Sequence, residues 1–133
     1  MVSQRMKPRS TSALTSTPSL SQDGGMSLQH IALEPDWQAA LGTGTYPVST
    51  RGQLIADVGY MHCSTPEQTA GVRERFYSDV SEPLLLLTLD ESALAARGLE
   101  VRFEPPAPGV DELFPHIYGG DLPVACVAGV ERL

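Results

Sequence analysis

The chain has 133 residues, a net charge of -7, three histidines and two cysteines. That length has room for one domain with a single core, and the acidity disfavours extended contact with a phosphate backbone unless basic residues cluster tightly. Two cysteines make no disulfide scaffold at this size, and apolar runs such as Leu84 to Leu87 are too short to span a bilayer, so a cytoplasmic protein without membrane contact is expected.

Residues 1–25 are dominated by Ser, Thr, Pro and Gln and offer almost nothing large and apolar to bury, so a disordered arm is expected there. Its early positive charge is followed by no apolar stretch, which argues against a secretory signal. The arm carries Arg5, Lys7, Arg9 and Asp23, so the domain expected over 26–133 is more acidic than the whole chain. After Met26 there are six arginines and no lysine, enough for a local anion pocket but not for a basic surface.

Leu28 to Leu33 reads as a first strand, with Leu28, His30 and Ala32 on one face. Pro35 suits a first helical turn, Trp37, Ala40 and Leu41 form a short apolar stripe, and Gly42 and Gly44 end the helix. Tyr46 to Asp57 carries the breakers Pro47 and Gly52 and reads as loop with one helical turn. Gly59 to Ser64 is the next strand. Alternation puts Tyr60, His62 and Ser64 on one face and leaves Met61 and Cys63 for the core. The same alternation makes Cys63 and His62 a poor nucleophile–base pair.

Ser64-Thr65-Pro66-Glu67 matches a capping box, so Ser64 is expected to cap a helix running to about Tyr77, with Thr65, Thr69, Val72 and Phe76 facing the core. Leu84 to Leu89 is the signature of a strand buried on both faces. Ser92 to Arg97 allows a short helix stopped by Gly98. Leu99 to Glu104 alternates as a strand with one wet face, placing Glu104 on that face. After a proline-rich loop, Phe114 to Gly120 forms a compact element and Pro123 to Val130 a last strand. The expected architecture is a single α+β domain, a split or curved, mostly antiparallel sheet of five or six short strands with two or three short helices.

All three histidines, His30, His62 and His116, lie in short apolar motifs beside Tyr, Ser or Trp, and a shared pocket is the hypothesis that follows. Three neutral imidazoles suit a divalent metal with a fourth position for water, although H-x-x-x-H and C-x-x-C spacings are absent. Imidazoles and tyrosines equally suit hydrogen bonding to ribose hydroxyls and stacking on a flat ring. No P-loop or dinucleotide-binding glycine fingerprint occurs. Glu104, Asp111 and Glu112 are the carboxylates near the motifs, Arg51 and Arg102 are candidate anion contacts, and Trp37 and Phe103 read as core. A third reading makes the histidines structural parts of a non-enzymatic binding module.

His-Ile-Ala at 30–32 followed by Asp36-Trp37, Tyr-Met-His-Cys-Ser at 60–64 with Gln68, and Phe-Pro-His-Ile-Tyr-Gly at 114–119 together resemble the bacterial DUF952 family, over about Met26 to Leu133. The resemblance implies a distant branch of the ADP-ribosyltransferase-like fold, a split α+β sheet that in other branches clamps NAD. It implies that His30 sits where related enzymes set a first-strand His or Arg against the NAD ribose, and that His62 and Ser64 fall in the second motif strand. The third motif is a Glu in many transferases; here that element offers His116, with Glu104 and Glu112 nearby. The resulting expectation is a protein that binds an NAD-like nucleotide as a small-molecule ligand, with glycohydrolase or ADP-ribosyl transfer activity. His62, His116 and Glu104 would be its catalytic groups, and His30, Tyr60, Ser64 and Tyr118 its cofactor contacts.

Overall fold

The computed structural model describes residues 28–133, so the expectation for residues 1–25 lies outside the described residues. Chain order is β1 (Leu28–Leu33), α1 (Glu34–Thr43), β2 (Thr45–Tyr46), β3 (Val48–Thr50), β4 (Gln53–Leu54), α2 (Ile55–Val58), β5 (Met61–His62), α3 (Pro66–Tyr77), β6 (Leu84–Leu89), α4 (Glu91–Ala96), β7 (Glu100–Glu104), β8 (Phe114–Tyr118), β9 (Leu122–Pro123), a 3-10 turn (Val124–Cys126) and β10 (Val127–Arg132). The α+β character expected from the sequence is present. The split or curved sheet of five or six strands with two or three helices is instead four small antiparallel sheets, β1-β6-β10, β2-β9, β3-β4 and β5-β8-β7, with four α-helices among the described residues. The chain between Tyr46 and Asp57, expected as loop with one helical turn, supplies that turn as the start of α2 and, in place of loop, β3 and β4. Gly52, at φ 75°, turns β3 back onto β4, a conformation a residue without Cβ adopts at little cost.

The first sheet carries the bulk of the core. Leu28, Ala32, Leu85, Leu87 and Leu89 pack with Trp37, Tyr46, Met61, Cys63 and Ile117 in one cluster. Ile31, Leu84 and Leu86 turn to the opposite face, where Val72 and Tyr77 of α3 and Phe114 of β8 meet them. Burial on both faces makes the Leu84–Leu89 run continuous instead of alternating. The first sheet thus separates two apolar clusters, and β8 supplies a residue to each, Ile117 to one and Phe114 to the other.

The start of α3 is shifted by one residue from the expected box. Ser64 is still strand-paired, its N–H and C=O both bonded to Gln29 at 2.8 Å, so the helix cannot open before Thr65. Thr65 is the capping residue, and its N–H donates to Gln68 Oε1 at 3.0 Å. The Gln68 amide in turn donates to the Leu113 carbonyl at 2.8 Å, tying the helix start to the entry of β8. Replacing Gln68 by Ala removes both bonds and is expected to cost about 1–2 kcal/mol; an unchanged urea midpoint would show that the tie is idle.

Helix stripes also end differently from the periodic reading. Leu41 is exposed, and Phe76 is 42% exposed where a core position was expected. Tyr77 takes the buried place beside it, its hydroxyl accepting from the Arg51 N–H and donating to the Ile31 carbonyl. Phe103 is 41% exposed because β7 is an edge strand with no partner beyond it among the described residues.

Candidate functional site

The site is a consequence of strand register. β5 and β8 pair so that His62 lies directly opposite His116, and β7 and β8 pair so that Arg102 lies opposite His116, with Glu104 across from Phe114 and Glu100 across from Tyr118. Opposed residues on antiparallel strands share a face, and diagonal neighbours remain within reach of long side chains. One face of this three-stranded sheet therefore collects His62, Phe114, His116, Tyr118, Arg102 and Glu104. The other face gives Met61 and Ile117 to the core.

Glu104 is the hub of that face. Its Oε1 accepts from the Tyr118 hydroxyl at 2.6 Å and from His116 Nδ1–H at 2.9 Å. These two hydrogen bonds, the Tyr118 one first, hold the carboxyl below the usual carboxylate range, and the same bond pushes the Tyr118 hydroxyl up. The Glu104 side chain is 33% exposed while His116 is only 1% exposed, so the carboxylate stands between solvent and the imidazole. Both bonds use Oε1, which leaves Oε2 turned to other uses.

Behind Glu104 the chain of polar groups continues inward. His116 Nε2 lies 3.4 Å from His62 Nδ1. With Nδ1–H given to Glu104, Nε2 of a neutral His116 is the acceptor and His62 Nδ1–H the donor. Burial, with His116 and His30 nearby, lowers the His62 pKa from 6.5 to about 4, which keeps that ring neutral at physiological pH. Tyr60 stacks on His116 at 4.1 Å between ring centroids and 18° between planes, and Phe114 and Phe76 flank the His62 ring. The Arg102 guanidinium lies 4.3 Å above the Tyr118 ring while also bonding Glu100 at 3.0 Å. A carboxylate, a phenol, an arginine and two aromatic faces thus share one partly open surface.

His30 takes no part in it. Its Nδ1–H donates to the His62 carbonyl at 2.7 Å, and its Nε2 accepts from the Tyr46 hydroxyl at 3.1 Å. Both nitrogens are committed, the residue is buried, and burial lowers its pKa to about 4. The three histidines are neighbours, but His30 reaches the other two only through main chain. Ser64 is likewise enclosed, bonded to Thr69 Oγ1 at 2.9 Å. Of the residues expected to contact a cofactor, His30 and Ser64 are closed to solvent here, whereas Tyr60 and Tyr118 are partly open.

Among the described residues no three His, Cys, Asp or Glu side chains are placed to hold a metal ion. Cys63 faces the core and burial pushes its thiol up, away from a nucleophilic thiolate. Arg51, an anion-contact candidate, is paired with Asp79. The pairing of Glu104 with His116 had one legible signal, since a wet-face carboxylate ended the 99–104 strand; the Arg102–Tyr118 stack had none. A groove of about 530 Å3 between α3 and the first sheet is lined by Gln29, Thr69, Arg73, Leu86 and Leu133, and by none of the expected site residues. Among the described residues no helix is long and apolar enough to cross a membrane.

The fold is similar to that in the crystal structure of protein CC0527 from Caulobacter crescentus, with a TM-score of 0.65, 23% sequence identity, and coverage of 80% of this chain and 85% of that one. A double mutant of CC0527 matches at a TM-score of 0.64 with the same identity and coverage. No curated protein sequence matches the chain. The profile of a family described as "Protein of unknown function (DUF952)" matches residues 31–130, a span that takes in Tyr60, His62, Glu104, His116 and Tyr118, and the chain belongs to that family.

Proposed function

We propose that the β5-β8-β7 face binds an NAD-like nucleotide and that Glu104 is the group it presents to the ligand, in a glycohydrolase or ADP-ribosyl-transfer reaction on a distant branch of the ADP-ribosyltransferase-like fold. The observation that carries this reading is the Glu104 carboxylate, ionised by the Tyr118 and His116 hydrogen bonds and partly open to solvent. An ionised carboxylate is acceptor-only and has a free oxygen, which suits a ribose hydroxyl. Tyr60 and Tyr118 offer ring faces, and Arg102 offers a cation for a phosphate. His116 acts from behind, fixing the carboxylate, and His62 holds His116 in turn.

Two observations redistribute roles within the histidine set. His30, committed at both nitrogens, positions the His62 main chain and does not touch the ligand. His116 orients Glu104 and does not replace it. The fold assignment is supported by family membership and by the bridge between Gln29 and Ser64, which joins the first and second motif strands.

The deciding experiment is a histidine side-chain NMR titration of the full chain with NAD. Saturable shifts at His116 and His62, with His30 much less affected, are expected. If no ring moves with NAD, the nucleotide reading fails. If the rings move only when a divalent metal is added, the reaction is a metal-dependent one instead. If neither addition moves them, the histidines are structural.

A further inference from the structure

The polar chain running inward from Glu104 ends at His62, and the manner of its ending is unusual for a folded interior. His62 Nε2 is buried and has no hydrogen-bond partner among the described residues, although the great majority of buried polar atoms have one. His62 also lines a small cavity of about 10 Å3, together with Ser49, Ser64, Ile31, Val72 and Tyr77 among others. That is about the space one water requires.

The wall of the cavity also holds a hydroxyl with a proton to give. Ser49 is fully buried, and its Oγ accepts from the His62 N–H at 3.3 Å. Among the described residues its own O–H has no acceptor. The other hydroxyls are engaged: Ser64 with Thr69, Tyr77 with the Ile31 carbonyl. A water needs two to four polar partners to be held in such a space. Here it would accept from Ser49 O–H and donate to His62 Nε2, so that each uncommitted buried group is matched by the complementary one.

We infer that this cavity is a binding site for a single internal water, held between Ser49 Oγ and His62 Nε2, and that the water completes a continuous hydrogen-bonded path from the Glu104 carboxylate at the surface to the interior beneath β1. The Glu104 carboxylate, which can only accept, fixes the direction of every bond in the path. The water donates to His62 Nε2, His62 Nδ1–H donates to His116 Nε2, and His116 Nδ1–H donates to Glu104 Oε1. His62 and His116 are then both Nδ1–H tautomers, the less common form of an imidazole free in water. No bond is made or broken in this arrangement, and it is independent of which ligand occupies the outer face.

The test is direct on the unmodified full chain. A high-resolution crystal structure should show one ordered water within hydrogen-bond distance of both His62 Nε2 and Ser49 Oγ. Nitrogen-15 spectra of the side chains should report a bonded, unprotonated Nε2 at His62 and at His116. A dry cavity, or an Nε2–H at His62, overturns the inference. Ser49→Ala removes the donor without closing the space, so the His62 Nε2 resonance should move toward that of an unbonded nitrogen while His30 stays in place. An unmoved His62 resonance in that variant means the water is not held by Ser49, and likewise overturns it.

Discussion

Acidifying the protein from pH 6.5 to about pH 4 is expected to remove on the order of 3 kcal/mol of stability through His30 alone. The ring is neutral in the fold because burial holds its pKa at about 4, against 6.5 for a free side chain. Between those two values the unfolded chain binds a proton that the folded one refuses, so stability falls as pH falls and is fully present above 6.5. His62, lowered to about 4 by burial and by its neighbouring histidines, acts in the same direction. Glu104 and Asp79 are held below the ordinary carboxylate value, and what they add is lost only as pH drops below about 4.5. The interval from 6.5 to 4.5 therefore reports the histidines with little interference from these carboxylates. Urea unfolding at steps through that interval measures the slope. His30→Gln, which can still donate to the His62 carbonyl but does not titrate, should flatten the slope by about one proton. A wild-type stability that stays level from pH 6.5 to 4.5 would contradict the buried, neutral His30.

On the proposed reading, Glu104→Gln lowers nicotinamide release from NAD by about 10²–10⁴-fold, the range a positioned acid–base or orienting group commands. The substitution keeps the shape and leaves an oxygen that can accept from Tyr118 and His116, but removes the charge that both bonds stabilise. Folding should survive, since the side chain is partly exposed and its partners keep a bond. The two possible failures are distinguishable. An unchanged rate in the variant shows that Glu104 is not the reacting carboxylate, whereas a wild-type protein that binds NAD without releasing nicotinamide is a binding module. His116→Phe is a useful companion because it keeps the stack under Tyr60 and removes the bond that aims Glu104. Its effect should fall on turnover more than on NAD affinity.

His62 and Ser49 show how far pattern alone reaches. Alternation placed Met61 and Cys63 in the core, where both are buried, and His62 on the opposite side of the strand, where it faces His116. Nothing in the spacing between Ser49 and His62 indicates that the serine hydroxyl would bond the histidine main chain. The Ser64-x-x-Glu67 motif was legible too, yet the working cap is Thr65 with Gln68, because a long-range pairing with Gln29 keeps Ser64 in the strand. A local motif states a preference of about 1 kcal/mol. Two main-chain bonds to another strand are enough to move it by a residue.

By itself the sequence determined where the long elements lie. Leu28–Leu33 and Leu84–Leu89 match the expected strands, and the helix carrying Trp37 ends at Gly44 in the left-handed conformation that glycine favours. These are local properties, set by apolar runs, proline and glycine within a few residues of one another. Only the tertiary structure decided which strands are neighbours. The register of β5, β8 and β7 brings Glu104, 12 positions from His116, onto its imidazole, and sets His62 opposite a histidine 54 positions away. The same packing turns His30 inward onto Tyr46 and away from the Glu104 face. Register depends on the summed burial of whole faces, since a slip of one residue would exchange Met61 and Ile117 with the histidines. That quantity is shared among distant segments, and no short stretch of this chain contains it.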